Sequence, residues 1–243
     1  MVGKARVLNH VPLKPCGLPR IRAVLVDLDG TLVEFGIPVR EARAEAMNVL
    51  ESFGLPRTLF SVRDTIVEML SKARTYLRNR QQENLFPKVW GAVWSAMDRF
   101  EMKAVEEARA VGGAVNALKE LKALGLKIAI VSSTCRQAVE YALRKLGIEQ
   151  LIDVVVTRNE VNEVKPSPEP IKVALAILNV KPEEAIVVGD HPYDVEAAKR
   201  AGCVAVGVKT GLGRSTNLAY AGADYIIPSI ASLPELMQSR FSG

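Results

Sequence analysis

Two aspartates, Asp27 and Asp29, stand two residues apart at the end of the apolar run Ala23-Val24-Leu25-Val26, with Gly30-Thr31 following. The run is short, β-branched and nearly continuous, the pattern of a strand covered on both faces. A pair of carboxylates at the end of such a strand is costly to desolvate unless a cation or a proton-transfer task occupies it. In an open α/β sheet that end is where ligands bind. Asp and Gly also favour ordinary turns, so the pair by itself leaves both readings open.

Three later segments repeat the arrangement. Lys127-Ile128-Ala129-Ile130-Val131 ends in Ser132-Ser133-Thr134, and Ala185-Ile186-Val187-Val188 ends in Gly189-Asp190-His191-Pro192-Tyr193-Asp194. Between them Lys165-Pro166-Ser167-Pro168-Glu169-Pro170 is a rigid loop opening the helical pattern Ile171, Ala174, Leu175, Leu178. The order Asp-x-Asp, Ser, Lys, Gly-Asp-x-x-x-Asp resembles the haloacid dehalogenase-like (HAD) hydrolase superfamily over residues 21–36 and 110–238. The segment Val195-Glu196-Ala197-Ala198-Lys199-Arg200-Ala201-Gly202 is similar to its phosphoglycolate-phosphatase-like branch. Each motif alone is weak; four in this order are specific.

The resemblance implies a mechanism. Asp27 is the expected nucleophile, forming an aspartyl-phosphate that splits one hard step into two. Asp29 is the expected acid/base, and its backbone carbonyl the expected metal contact. Ser132, with Ser133 beside it and backbone N–H groups of the loops, is expected to bind the phosphoryl oxygens. Lys165 is a point charge able to pair with phosphoryl oxygen and nucleophile. Asp190 is expected as a metal ligand, and Asp194 as a second ligand or a hydrogen-bond partner of that shell. Convergence of Asp27, Asp29, Asp190 and Asp194 would bring strong repulsion. A hard divalent cation with oxygen ligands relieves it, and Mg²⁺ fits, since it takes one or two carboxylates plus phosphate oxygen and water. Protonating one carboxyl is the other relief, and it is what a general acid needs.

Each residue also has a plainer reading. Ser132 could cap a helix, Lys165 could be a solvated loop lysine, and Asp194 could cap the helix after it. His191 departs from the small residue the family pattern has there, and reads as a loop substitution without a catalytic role. Val111-Gly112-Gly113 replaces the usual Pro-Gly and reads as a loosened hinge.

The elements that must position these residues follow from periodicity. Residues 1–20 read as an N-terminal tail. From 37 to 104 only helical patterns appear: Ala42, Ala46, Val49, Leu50, Phe53; then Val62, Ile66, Met69, Leu70; then a helix opened by Pro87, with Trp90, Trp94 and Met97. Strand and helix patterns alternate from Val111 onward, which implies a parallel sheet. The expected fold is α/β, a Rossmann-like parallel sheet flanked by helices, with residues 21–36 and 105–243 as core. Residues 37–104 are expected to form an inserted all-helical cap, placed where the family carries its C1 cap, with Gly36 and Gly112-Gly113 as flexible flanks. The apolar stripe Cys135, Ala138, Val139, Ala142, Leu146 places Cys135 inside a helix, and Cys203 begins a strand.

Composition narrows the class. The chain has 243 residues, 49% hydrophobic and 24% charged, ordinary for a globular protein. No apolar run approaches the ~20 residues needed to span a bilayer, and no signal-peptide h-region is evident. Cys16, Cys135 and Cys203 are odd in number and lack metal spacing. A cytoplasmic protein that does not insert in membranes is expected, as monomer or homodimer. The net charge of +5 is spread among acids, without aromatic–basic interleaving, which argues against nucleic acid.

The leading expectation is a Mg²⁺-dependent phosphatase acting on a small phosphorylated metabolite. A phosphosugar mutase of the β-phosphoglucomutase type shares Asp27 and Asp29 and stays open. Dehalogenases of the superfamily lack the second acid, so Asp29 argues against them. A phosphonate hydrolase would need a Schiff-base lysine among Lys72, Lys88 and Lys103, and a non-catalytic binding protein is open on fold grounds alone. Arg40, Arg43, Arg57, Arg63, Arg74 and Arg78 are candidates for a second anionic group on the substrate, and Trp90 and Trp94 read as cap core.

Overall fold

The computed structural model describes residues 20–211 and 215–241; the tail over 1–20, apart from Arg20, and Cys16 lie outside them. In chain order the strands are β1 (Ala23–Val26), β2 (Val33–Glu34), β3 (Arg109–Ala110), β4 (Lys127–Val131), β5 (Val154–Val156), β6 (Ala185–Gly189), β7 (Val204–Val208) and β8 (Tyr225–Ile227). The helices are α1 (Val39–Ser52), α2 (Ile66–Asn79), α3 (Phe86–Val105), α4 (Ala114–Ala123), α5 (Arg136–Lys145), α6 (Glu169–Leu178), α7 (Pro192–Ala201), α8 (Ser215–Tyr220) and α9 (Leu233–Phe241).

Six strands form one parallel sheet in the order β5-β4-β1-β6-β7-β8. The chain lays β4 and β5 to one side of β1 and then crosses to β6 on the other, so the order reverses at β1. In such sheets the crevice outside the strand ends at the reversal is the ligand site. Leu25 lies opposite Ala129 on one neighbour and Val187 on the other. Side chains alternate between faces. Ala23, Leu25, Ala129, Val131 and Val187 therefore share one face, and they form a common core with Ile171, Ala174 and Leu175 of α6 and Val195, Ala197 and Ala198 of α7. Val24, Val26, Ile128, Ile130, Ile186 and Val188 are buried as well. This explains the continuous apolar runs: a strand covered on both faces has no polar positions until it ends.

Contacts divide the chain into two units, Phe35–Ala108 and the remainder. The first is wider at both ends than the 37–104 read from periodicity, and contains α1, α2 and α3 with no strand among its residues. Its own core joins Ala42, Ala46, Met47 and Leu50 to Met69, Leu70, Ala73, Leu77, Val89 and Val93. The helix starts follow from local chemistry. Thr65 and Glu68 form a reciprocal capping box at α2. Pro87 sits in the first turn of α3, where its missing N–H costs nothing. Trp90 and Trp94 are half-buried and pack edge-to-face at 5.6 Å.

Two local expectations change, at Gly113 and Cys135, and one element was not foreseen. The antiparallel pair β2·β3, Val33 opposite Ala110, is too short for a periodic signature. Gly113 is not slack: it caps α4 with φ of 78°, and a Cβ there would lie 2.8 Å from the Ala231 side chain, so glycine is required. Cys135 is buried, but as the residue capping α5 rather than within its stripe. Cys203 is buried just before β7, its thiol pushed up to about 12 chiefly by burial. Among the described residues, no helix is long and apolar enough to cross a membrane.

Candidate active site

The ends of β1, β4 and β6 lie side by side, and each delivers an expected residue. The first is Asp27, whose backbone N–H donates to the Val188 carbonyl at 2.9 Å. Lys165 reaches in from the loop before α6. Its Nζ donates to Asp27 Oδ1 at 2.5 Å, to Asp194 Oδ1 at 2.5 Å and to the Val131 carbonyl at 3.0 Å. An ammonium has three donors, and all three are used. One lysine thus ties β1, β4 and α7 together. It is 5% exposed, with Asp27 at 7%, Asp190 at 4% and Asp194 at 3%.

Asp194 lies in the first turn of α7, and its Oδ2 accepts from the His191 N–H at 3.0 Å. His191 caps the same helix, its Nδ1 accepting from the Tyr193 N–H at 3.2 Å. The unexpected residue of the fourth motif therefore has a structural task, as helix cap. A Cβ on Gly189 would fall 2.3 Å from Asp194 Cγ, so glycine there makes room for the carboxylate.

Asp27, Asp190 and Asp194 each place a carboxylate oxygen within 4.8 Å of the others. Such pairs repel by about 3–4 kcal/mol each when ionised, at an effective dielectric of ~20. Burial pushes the Asp27 carboxyl well above the usual range; Lys165 pulls it down, while Asp194 and Asp190 push it further up. Burial works against the Lys165 ammonium too, but Asp194 and Asp27 outweigh it and raise its pKa, so it stays charged. One cation against three carboxylates leaves negative charge uncompensated. An all-oxygen, hard-donor set of this kind fits a divalent cation such as Mg²⁺.

Asp29 is half-buried and is not among those three carboxylates. Its backbone forms a bridge with Val33 in the turn closed by the Gly30 N–H to Val33 carbonyl bond of 2.8 Å. Ser132 is buried at the end of β4, its N–H bonded to the Val156 carbonyl and its Oγ accepting from the Thr134 N–H at 3.1 Å. Ser133 is half-buried, and its carbonyl accepts from Arg158 Nη1 at 2.7 Å. Arg158, itself buried, was not read from the sequence, and neither was Thr31, whose Oγ1 lies 3.4 Å from Asp190 Oδ1. Thr31 adjoins the first motif and could have been found there; Arg158 lies in a polar stretch with no signal.

The lysines and arginines of the helical unit sit differently. Lys72, Lys88 and Lys103 are all exposed, and Lys72 Nζ pairs with Asp64 at 2.6 Å. None sits in the dry, apolar pocket in which a Schiff-base lysine works. Arg57 pairs with Glu51, Arg74 and Arg78 with Glu83, and Arg43 donates to the Val62 carbonyl. Arg40 and Arg63 are exposed.

The chain is similar to known proteins in sequence and in fold. A family model for haloacid dehalogenase-like hydrolases matches residues 24–208. The chain is 33% identical over 232 residues to the pyrophosphatase PpaX of Bacillus mycoides, covering 92% of this chain and all of that one. It is 32% identical over 232 residues to the phosphoglycolate phosphatase of Chromobacterium violaceum, covering 91% and 99%. Among solved structures, CbbY from Rhodobacter sphaeroides in complex with phosphate is 26% identical with a TM-score of 0.60, covering 88% of this chain and 96% of that one. A phosphonoacetaldehyde hydrolase-like protein from Oleispira antarctica shares the fold, with a TM-score of 0.67 at 21% identity, covering 96% and 97%.

Proposed function

The chain belongs to the haloacid dehalogenase-like hydrolases, in their phosphoglycolate-phosphatase-like branch, and we propose that it is a Mg²⁺-dependent phosphatase of a small phosphorylated metabolite, working in the cytoplasm through an aspartyl-phosphate. The observation that carries this reading is the buried triad in which Lys165 bridges Asp27 and Asp194 beside Asp190. That arrangement orients Asp27 through one oxygen and leaves the other for attack.

In the first step Asp27 attacks phosphorus, the bond to the leaving oxygen breaks, and Asp29 gives that oxygen its proton. Water then attacks the aspartyl-phosphate, Asp29 takes the water's proton, and inorganic phosphate leaves with the Asp27 carboxylate restored. Lys165 remains charged and offsets the phosphoryl oxygens. Ser132, Ser133 and nearby amides hold those oxygens. Asp27, Asp190, Asp194 and the Asp29 carbonyl are the groups that would hold Mg²⁺, which when bound supplies the positive charge that lets a phosphate dianion enter a carboxylate-rich site. Phe35–Ala108 acts as the cap that selects the substrate. Its support is its place as an insertion between β2 and β3, shortly after the turn that carries Asp27 and Asp29. Exchanging it for the corresponding segment of the Bacillus relative should move substrate rank order and leave the metal requirement; an unchanged rank order removes the assignment.

The test is phosphate release with Mg²⁺ and with EDTA over phosphoglycolate, pyrophosphate, sugar phosphates, nucleotides and phosphonoacetaldehyde. Rapid acid quench and peptide mass analysis should find one phosphoryl group on the peptide containing Asp27. Sugar-phosphate isomerisation without phosphate release would favour the mutase. Release from none of these substrates would overturn the proposal.

A further inference from the structure

The loop after β7 lies one strand beyond β6, yet it returns to the first motif. Thr210 Oγ1 donates to the Gly30 carbonyl at 2.6 Å, across 180 residues of sequence. At the next residue, Gly211, an added Cβ would fall 2.0 Å from Asp190 Oδ2 and 2.4 Å from its Cγ. No side chain fits there without moving the carboxylate or the loop. Gly30 approaches the same carboxylate: its φ is 81°, and a Cβ would lie 2.9 Å from Asp190 Cγ. Thr31 Oγ1 faces Oδ1. Asp190 is therefore enclosed by two backbone segments with glycine at both points of contact, and Thr210 fastens one segment to the other.

We propose that Thr210 and Gly211 are positioning residues for metal binding: together with Gly30 they clamp the Asp190 carboxylate in the orientation that receives Mg²⁺. The physical reason is that a carboxylate ligand free to turn must be ordered when the cation arrives, whereas one already confined loses less freedom. Groups that orient metal ligands typically contribute 10–100-fold to affinity. The inference rests on the metal reading of the site, and the test separates the two.

Mg²⁺ alone, without substrate, is titrated into the full chain by calorimetry, with melting of the metal-free protein measured in parallel. The unaltered chain is expected to bind. Thr210→Val keeps the size and removes the hydroxyl; its Mg²⁺ dissociation constant should rise about 3–10-fold, the worth of one hydrogen bond. Thr210→Ser, which restores the donor, should recover most of that. Gly211→Ala should weaken Mg²⁺ by about 10–100-fold. If the folded Thr210→Val and Gly211→Ala proteins bind Mg²⁺ like the unaltered chain, or only their metal-free melting temperatures fall, the clamp is refuted. If the unaltered chain itself binds no Mg²⁺, the metal reading fails first and takes the clamp with it.

Discussion

Ion pairs in the two units of this protein use the same chemical groups to opposite effect. On the helical unit, Lys72–Asp64, Arg57–Glu51, Arg74–Glu83 and Arg99–Glu45 are in solvent, with the basic side chains 44–72% exposed. In the α/β unit Lys165, Asp27 and Asp194 are almost fully buried. Exposed pairs contribute about 0–1 kcal/mol and are screened by salt. Breaking a buried pair costs about 3–5 kcal/mol, because the remaining charge has no water to turn to. Burial, more than distance, separates a chemical site from surface decoration, since 2.5 Å at Lys165 and 2.6 Å at Lys72 are nearly alike.

The largest effect should follow from Asp27→Asn. The amide keeps the shape and loses the nucleophile, so phosphate release should fall by about 10⁴-fold or more, as when the attacking group of a covalent mechanism is lost. The fold should suffer little, because Lys165 keeps Asp194 and the Val131 carbonyl as partners. Burial has already raised the Asp27 carboxyl, so its ionised form costs stability near neutral pH, and Asn removes that cost. A metal-free melting temperature equal to or above that of the unaltered chain, with activity gone, is the expected result. Activity within tenfold would remove Asp27 from its role. Lys165→Met sharpens the contrast from the other partner. It strands Asp27 and Asp194 beside Asp190, and should cost about 3–5 kcal/mol in denaturant unfolding.

Asp27 and Asp190 were legible because they stand at the ends of runs whose burial is written in composition. Ala23–Val26 and Ala185–Gly189 are apolar along their whole length, so the first charged residue after each marks the strand's end and the crevice with it. The helices of Phe35–Ala108 were legible for a similar reason, since 3.6-residue spacing records one buried face. What escaped is tertiary and non-periodic. Thr210 and Gly211 look like any turn until the loop is seen against Gly30 and Asp190. Arg158 looks solvated until its bond to the Ser133 carbonyl is seen. The β2·β3 pair has two residues per strand, too few for any period.

A third experiment joins pH to the metal. In the metal-free protein the Asp27 carboxyl has a folded pKa raised above its unfolded value near ~3.9. A raised carboxyl contributes stability below the unfolded value and loses it as pH rises through the folded one. Mg²⁺ competes with the proton for the same oxygens, so its stabilisation should grow as pH rises above the usual carboxylate range. At one hundred times its dissociation constant, that stabilisation reaches about 2.7 kcal/mol. The measurement is the melting temperature with Mg²⁺ minus that with EDTA, from acid to neutral pH. A difference that stays flat or shrinks with rising pH would contradict the carboxylate assignment.

The smallest effect should come from Lys72→Met on the helical unit, and it is the control that gives the comparison its force. The Lys72 hydrogen bond, with help from the Ser61 N–H, holds the Asp64 carboxyl below its usual range. Removing Lys72 leaves Asp64 its bond from the Ser61 N–H at 2.9 Å and its contact with water. The cost should therefore stay within about 1 kcal/mol, with catalytic rate and Mg²⁺ requirement unchanged. Because the carboxyl is lowered, the pair's contribution is present above the unfolded pKa and disappears as pH falls through the folded one. The difference between Lys72→Met and the unaltered chain should accordingly close at acid pH and shrink in high salt. Denaturant midpoints at neutral and acid pH, with and without added salt, read this directly. A loss as large as that of Lys165→Met, and insensitive to salt, would mean that solvent does not screen the helical unit's ion pairs, and the distinction between its charges and those of the buried site would fail.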